Sequence, residues 1–141
     1  MKYFFDTSVL VPVFLEEHPH HEACLAVFLR SDKKHGSCAA HSLAEVYATL
    51  TRLPGKHRAS ASEAMLFLEN MEERLTLISL DAEEYWKAVM NSAESGIVGG
   101  MIYDALLAHF ALKVRAETIF TLNVEHFRRL GPEVAKRVKT P

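Results

Sequence analysis

Positive charge is the first thing this chain lacks. It has 16 Lys and Arg against 18 Asp and Glu, a formal net charge of −2. That excludes a protein holding nucleic acid by bulk positive charge, but not an enzyme that handles it through a local basic rim. Long apolar runs are absent too: none approaches the ~20 residues of a membrane span. The N-terminus shows no basic segment followed by a long apolar one, so neither a signal peptide nor a membrane location is expected. Cys24 and Cys38 are the only cysteines and match no metal-ligand spacing. They read as buried thiols of a reducing cytoplasm. Half of the six glycines fall in Ser95-Gly-Ile-Val-Gly-Gly, whose spacing fits neither a dinucleotide fingerprint nor a P-loop, and no Lys-Ser/Thr follows. Internal repeats, low-complexity tracts and linkers are missing as well.

What is present is an ordinary globular balance, 49% hydrophobic and 24% charged over 141 residues, which suits one domain over residues 1–141. The stretch Lys2–Val13 organises the rest. Tyr3, Phe4 and Phe5 favour extended backbone, and a short apolar run bounded by polar residues reads as a buried strand. Asp6, Thr7 and Ser8 end it, and Val9 to Leu15 read as a short helix containing Pro12. Asp6 therefore stands where a strand gives way to a helix. Ligands of open α/β sheets bind at such strand ends, and a helix cap is the alternative reading. The nearly unbroken apolar run Val9–Leu15 exceeds what one buried helix face needs, which suits either an interaction surface or a core.

Glu16 to Glu22 is a polar turn broken by Pro19, and its His18, His20 and His21 read as solvated rather than metal-binding. An amphipathic helix over Glu22 to Leu29, a charged turn and a short strand over Ser37 to Ala40 follow. In the helix His41 to Arg52, Leu43, Val46, Tyr47 and Leu50 form a core stripe with Glu45 nearly opposite. Ser42 and Glu45 also match a capping box, so Glu45 either caps this helix or faces a cleft. After a basic turn, a helix starts at Ser60 or Ser62 and runs to about Glu73, with Ala64, Leu66, Phe67, Leu68 and Met71 mostly inward. Leu75 to Leu80 is a third strand, and Asp81 with Glu84 forms a second capping box. The helix from Ala82 to about Ser95 should turn Tyr85, Trp86 and Val89 inward. A helix starting near Ile102 buries Leu106, Leu107, Phe110, Ala111 and Val114. Asp104, in its first turn, lies roughly 90° from that stripe, at a cleft edge or as a partner of the helix dipole. Thr118 to Leu122 is a fourth strand, ended by Asn123. Glu133 to Pro141 reads as a solvated basic tail, or as a nucleic-acid contact.

Alternating strands and helices imply a mostly parallel sheet covered on both faces. Its strand ends bring Asp6 and Asn123 to one edge, where Glu45 and Asp104 could join them. Clustered carboxylates repel each other, which calls for a cation. Oxygen donors suit Mg²⁺ or Mn²⁺ rather than zinc. The matching chemistry is phosphodiester hydrolysis, and no Ser or Cys has a base partner to serve as covalent nucleophile.

Four segments, Phe4-Phe-Asp-Thr-Ser-Val-Leu-Val, Ser42-Leu-Ala-Glu-Val, Ile102-Tyr-Asp-Ala-Leu-Leu-Ala and Thr121-Leu-Asn-Val-Glu-His-Phe, resemble in order and separation the four motifs of the PIN-domain nucleases. With no extra domain, the chain is similar to VapC-type toxins of toxin–antitoxin pairs. The resemblance implies a three-layer α/β/α sandwich and a metal-dependent endoribonuclease that hydrolyses RNA. It implies a Mg²⁺ or Mn²⁺ site of Asp6, Glu45 and Asp104, with Thr7, Ser8 and Thr121 supporting. Asn123 joins the catalytic set, in the motif where an acidic residue is common. The implied partners are an RNA substrate, a cognate antitoxin and a second copy of the chain, in the cytoplasm. A catalytically silent PIN-like module that binds RNA or protein is the alternative, disfavoured by the three retained carboxylates. A haloacid-dehalogenase-type phosphatase needs Asp-x-Asp, and Asp6-Thr7-Ser8 lacks the second aspartate. A receiver domain needs a lysine after the fourth strand, and none suits.

Overall fold

The computed structural model describes residues 1–141. In chain order the elements are β1 (Tyr3–Phe5), α1 (Thr7–Val13), α2 (His21–Leu29), β2 (Gly36–Ala39), α3 (His41–Thr51), a 3₁₀ turn (Gly55–His57), α4 (Ala61–Arg74), β3 (Thr76–Ile78), α5 (Ala82–Glu94), α6 (Met101–Lys113), β4 (Thr118–Phe120), α7 (Val124–Arg128), α8 (Pro132–Ala135) and β5 (Val138–Lys139). The five strands form one sheet in the order β3-β2-β1-β4-β5, and every pairing is parallel.

The pleat sends alternate residues to opposite faces. Phe5 and Cys38 face one apolar cluster, made with α1 to α4. Phe4, Ala39, Ile78, Ile119 and Val138 face the other, made with α6, α7 and α8. The result is the expected three-layer α/β/α sandwich. Phe4 and Phe5 are wholly buried on its two sides. Each contributes on the order of 1.5–3 kcal/mol of transfer free energy. This is why three aromatic residues in a row form the central strand instead of an exposed patch.

Local signals explain several boundaries. Ser60 caps α4 and Asp81 caps α5, each through a reciprocal box with the glutamate three residues on. Gly36 opens β2 where the backbone runs against α4 and the turn before it. A Cβ there would lie 2.8 Å from Leu75 Cδ2 and 2.9 Å from Ser31 Cβ.

One open alternative is resolved and other expectations are corrected. The apolar excess of the first helix goes into the core: Val9, Leu10 and Val13 are buried, and Phe14 stacks on Phe67 at 4.8 Å and meets Phe28 edge-on. In α4 only Ala64 and Met71 are buried, and Leu66 is exposed. In α5 the inward residues are Ala88 and Ser92, while Trp86 is 71% exposed and Val89 and Met90 also face outward. Tyr85, expected inward, is 37% exposed with its ring edge-on to Phe110 of α6, and the fully buried positions of α5 are the small ones. The fourth strand stops at Phe120, so Thr121 lies just beyond it. The basic tail is neither free nor solvated throughout. It folds as α8 and the edge strand β5, with Lys136 and Arg137 paired to Glu133 and Arg137 also donating to the Ala116 carbonyl.

Candidate active site

β1 and β4 are adjacent and parallel, so residues following them emerge side by side. Asp6 follows β1, and Thr121 and Asn123 follow β4. Asp6 holds the N-cap position of α1, yet its side chain makes no cap hydrogen bond. The carboxylate instead turns toward β4. Ser8 Oγ donates to Asp6 Oδ2 at 2.6 Å and Thr121 Oγ1 donates to the same oxygen at 2.7 Å.

Backbone amides anchor both hydroxyls. The Leu122 N–H donates to Ser8 Oγ at 2.9 Å, and the Asn123 N–H donates to Thr121 Oγ1 at 2.9 Å. Each hydroxyl thus accepts from an amide and gives its single proton to the Asp6 carboxylate, which as an ionised group only accepts. Ser8 and Thr121 therefore both hold the Asp6 carboxylate. Thr7 performs a similar task one residue earlier. Its hydroxyl lies 2.9 Å from Ser42 Oγ and 3.3 Å from Glu45 Oε1. Ser42 is thus a partner of α1 and not a helix cap: α3 already starts at His41 without a side-chain cap. Glu45 is freed from the capping box and faces the cleft, with His41 Nε2 3.8 Å from Oε1.

Asp104 projects from the first turn of α6 with its side chain 22% exposed, and His126 Nδ1 of α7 lies 3.4 Å from its Oδ2. Asp6, Thr7, Ser8, Glu45, Asp104 and Asn123 all line one open cleft of about 410 Å³. Val11, Pro12, Leu107 and Leu122 supply its apolar wall, and His18, Thr49 and Tyr103 complete it. No Lys or Arg lines it. Asn123 is exposed at the rim, and its side chain does not cap α7. His18, Thr49 and Tyr103 escaped the sequence reading. His18 lies in a turn that passes the cleft only because of tertiary packing, and His126 had no signal apart from its place in the fourth motif. His18, His20 and His21 gather no metal site. His21 Nδ1 instead contacts the Pro12 carbonyl at 2.8 Å.

The electrostatics of the cleft are unfavourable to its own charges. Burial pushes the Asp6 carboxyl above its ordinary pKa, against the Ser8 and Thr121 hydrogen bonds, and the Asp104 charge pushes it further. Burial also raises Glu45; His41 and the Thr7 hydrogen bond oppose this, while Asp6 and Asp104 add to it. Asp104 is raised by burial, with His126 opposing. Three carboxylates thus share a cleft lined by no Lys or Arg, with His41 and His126 beside two of them. Oxygen donors with uncompensated charge fit a hard divalent cation. As they stand, no three His, Cys, Asp or Glu side chains converge closely enough to ligate one ion, so gathering the three around an ion takes side-chain movement. The cysteines play no part. Burial raises the Cys24 thiol to about 11 and Cys38 to about 12, so both remain protonated.

A parallel α/β/α sandwich carrying carboxylates just past β1, in the second turn of α3 and in the first turn of α6 defines the class of protein. The family model described as PIN domain matches residues 3–131, and the chain belongs to that family. Among its curated relatives are Ribonuclease VapC27 of Mycobacterium tuberculosis, 35% identical over 112 residues (79% of this chain, 78% of the relative), and Ribonuclease VapC40 of the same species, 34% identical over 132 residues (92% and 94%). Solved structures of like fold include VapC20 of M. tuberculosis, described as a Sarcin-Ricin loop cleaving toxin (TM-score 0.70, 14% identity, covering 94% of this chain and 98% of that one). VapBC2 of Rickettsia felis, bound to a promoter DNA fragment, is another (TM-score 0.67, 20% identity, covering 99% and 98%).

Proposed function

We infer that this chain is a divalent-metal-dependent endoribonuclease and the toxin of a toxin–antitoxin pair, acting in the cytoplasm. The observation that carries the reading is the cleft in which Asp6, Glu45 and Asp104 face one another with no Lys or Arg between them. A binding-only module gains nothing from three carboxylates whose ionisation is costly. Support also comes from relatives that are named ribonucleases over nearly the whole chain length. No helix is long and apolar enough to cross a membrane.

Asp6, Glu45 and Asp104 would hold Mg²⁺ or Mn²⁺, and a bound ion supplies a Lewis acid at the phosphoryl oxygen and a source of hydroxide near neutral pH. The rest falls to the chain itself. Ser8 and Thr121 fix the Asp6 carboxylate in one orientation, Thr7 fixes Glu45, and the apolar wall excludes bulk water from one side. Asn123 offers a neutral amide at the rim to the scissile phosphate or to the metal. The hydroxyls near Asp6 are committed, so hydrolysis proceeds by direct attack of water, without a covalent intermediate.

The partners follow the same reading. Neighbours solved as toxin–antitoxin complexes support an antitoxin for this chain. Exposed Trp86, Val89 and Met90 on the outer side of α5 support a homodimer.

Incubating the purified protein with cellular RNA tests the reading. Cleavage should require Mg²⁺ or Mn²⁺ and stop in EDTA. Asp6→Asn, Glu45→Gln and Asp104→Asn should each lower the rate by more than about a hundredfold, since even partners behind metal ligands cost 10–100-fold. Undiminished cleavage in EDTA refutes the metal dependence. No cleavage by the folded parent with either metal returns the chain to the silent binding module.

A further inference from the structure

Beside the carboxylate cleft lies a second, smaller cavity that the nuclease chemistry leaves unused. Its volume is about 210 Å³, with Tyr85, Leu106, Leu107 and Phe110 as walls. Glu45, Tyr103 and Leu107 line both cavities, so the two are adjacent. Tyr103, Leu106, Leu107 and Phe110 recur at i, i+3, i+4 and i+7 along α6, one helical stripe. The lower part of that stripe is buried, but its aromatic head is not: Tyr103 is 67% exposed. Tyr85 is 37% exposed and is braced edge-on by buried Phe110, with ring centroids 6.3 Å apart at 85°. A pocket that buries a whole drug-sized ligand runs to ~300–1,000 Å³, so this one is scaled to a single ring system.

The geometry points to a nucleobase subsite: the cavity between Tyr103 and Tyr85 receives one unstacked base of a single-stranded RNA whose backbone lies in the carboxylate cleft. This deepens the ribonuclease reading and rests on it. Tyr103 immediately precedes Asp104, so a strand with a phosphate near Asp104 has a neighbouring base at the mouth of the pocket. The cleft offers phosphates no Lys or Arg, so affinity and register must come from elsewhere, and stacking on aromatic faces is the source that tolerates an acidic protein. His41, at the pocket edge and 60% exposed on its side chain, supplies an imidazole able to read a base edge, beside the hydroxyls of Tyr85 and Tyr103.

The test uses single-stranded RNA heptamers, each with 2-aminopurine at one position, bound in Ca²⁺ and followed by base fluorescence and by anisotropy of an end label. Cleavage in Mn²⁺ is measured separately. In the parent, one position should be quenched far more than its neighbours. Tyr103→Ala and Tyr85→Ala should abolish that quench and weaken binding by about five- to 150-fold, while Tyr103→Phe and Tyr85→Phe keep it. The melting temperature of each variant establishes that it is folded. Uniform quenching along the strand, a quench that survives both alanine changes, or no binding by the parent overturns the subsite. Conversion of a dimer to a monomer by either alanine change also overturns it and gives this face to a second copy. A parent that quenches one base but cuts no RNA in Mn²⁺ retains the subsite as a binding site and refutes the ribonuclease reading alone.

Discussion

Replacing Asp6 with asparagine should remove activity and stabilise the metal-free protein, and the second effect is the sharper test of the site. Asp6 is 3% exposed, and burial outweighs the Ser8 and Thr121 hydrogen bonds in setting its ionisation. For an acid whose folded pKa lies above its unfolded value, the folded state binds the proton more tightly. The carboxyl's contribution is therefore fully present below the unfolded pKa, about 3.9, and is lost as pH rises through the folded value. At pH 7 the ionised group is thus a net cost. Asparagine removes that charge and its repulsion by Asp104. Its Oδ1 can still accept from Ser8 and Thr121, losing the charge assistance, about 1 kcal/mol per bond, and its amide nitrogen cannot accept from the Thr7 N–H that also favours the carboxylate. Against this stands an effective burial penalty of several kcal/mol for a carboxylate. The balance is a gain on the order of 1–3 kcal/mol, which raises Tm by about 3–10 °C in a chain of this size. Calorimetry in EDTA at pH 7 should show this increase, and it should shrink as the pH approaches 4. With Mn²⁺ near 100 Kd the parent gains about 2.7 kcal/mol and the variant gains less, so the ranking narrows or reverses. A variant that melts lower than the parent in EDTA at pH 7, or a difference that is independent of pH, would refute the reasoning.

Three further outcomes follow from the same structure. Thr121→Val leaves the Asn123 N–H without its acceptor and removes one donor from Asp6, so it should cost about 1–3 kcal/mol in thermal unfolding and reduce cleavage, with Thr121→Ser restoring both. Asn123→Asp should bind Mn²⁺ more tightly by titration calorimetry, because affinity in oxygen sites rises with ligand charge. It should also melt slightly lower in EDTA, and equal affinity together with equal melting would place Asn123 away from the ion. Gly36→Ala drives a Cβ against Leu75 and Ser31, so chemical denaturation should show a loss of about 1–3 kcal/mol with the metal response intact.

The sequence by itself determined the layered parallel fold, because aromatic and β-branched runs alternate with helical periods and each strand is followed by polar residues. It also determined the cap at Asp81, whose partner Glu84 lies three residues on, narrowed the start of α4 to Ser60 or Ser62, and placed Asp6 and Asn123 at one sheet edge because each follows a strand of a parallel sheet. Short-range chemistry decides these features, so a linear reading reaches them. Whether Glu45 capped a helix or faced a cleft was not decided locally. Thr7 and Ser42 settle it by meeting across 35 positions of chain. Nor could spacing show that the Leu122 and Asn123 amides anchor the two hydroxyls that donate to Asp6, since those contacts join the ends of β1 and β4. The outward Trp86 and the strand hidden in the basic tail have the same origin. A helix buries whichever side its neighbour presents, and an edge strand forms only where another strand offers free backbone groups. Both depend on what lies alongside in space rather than along the chain.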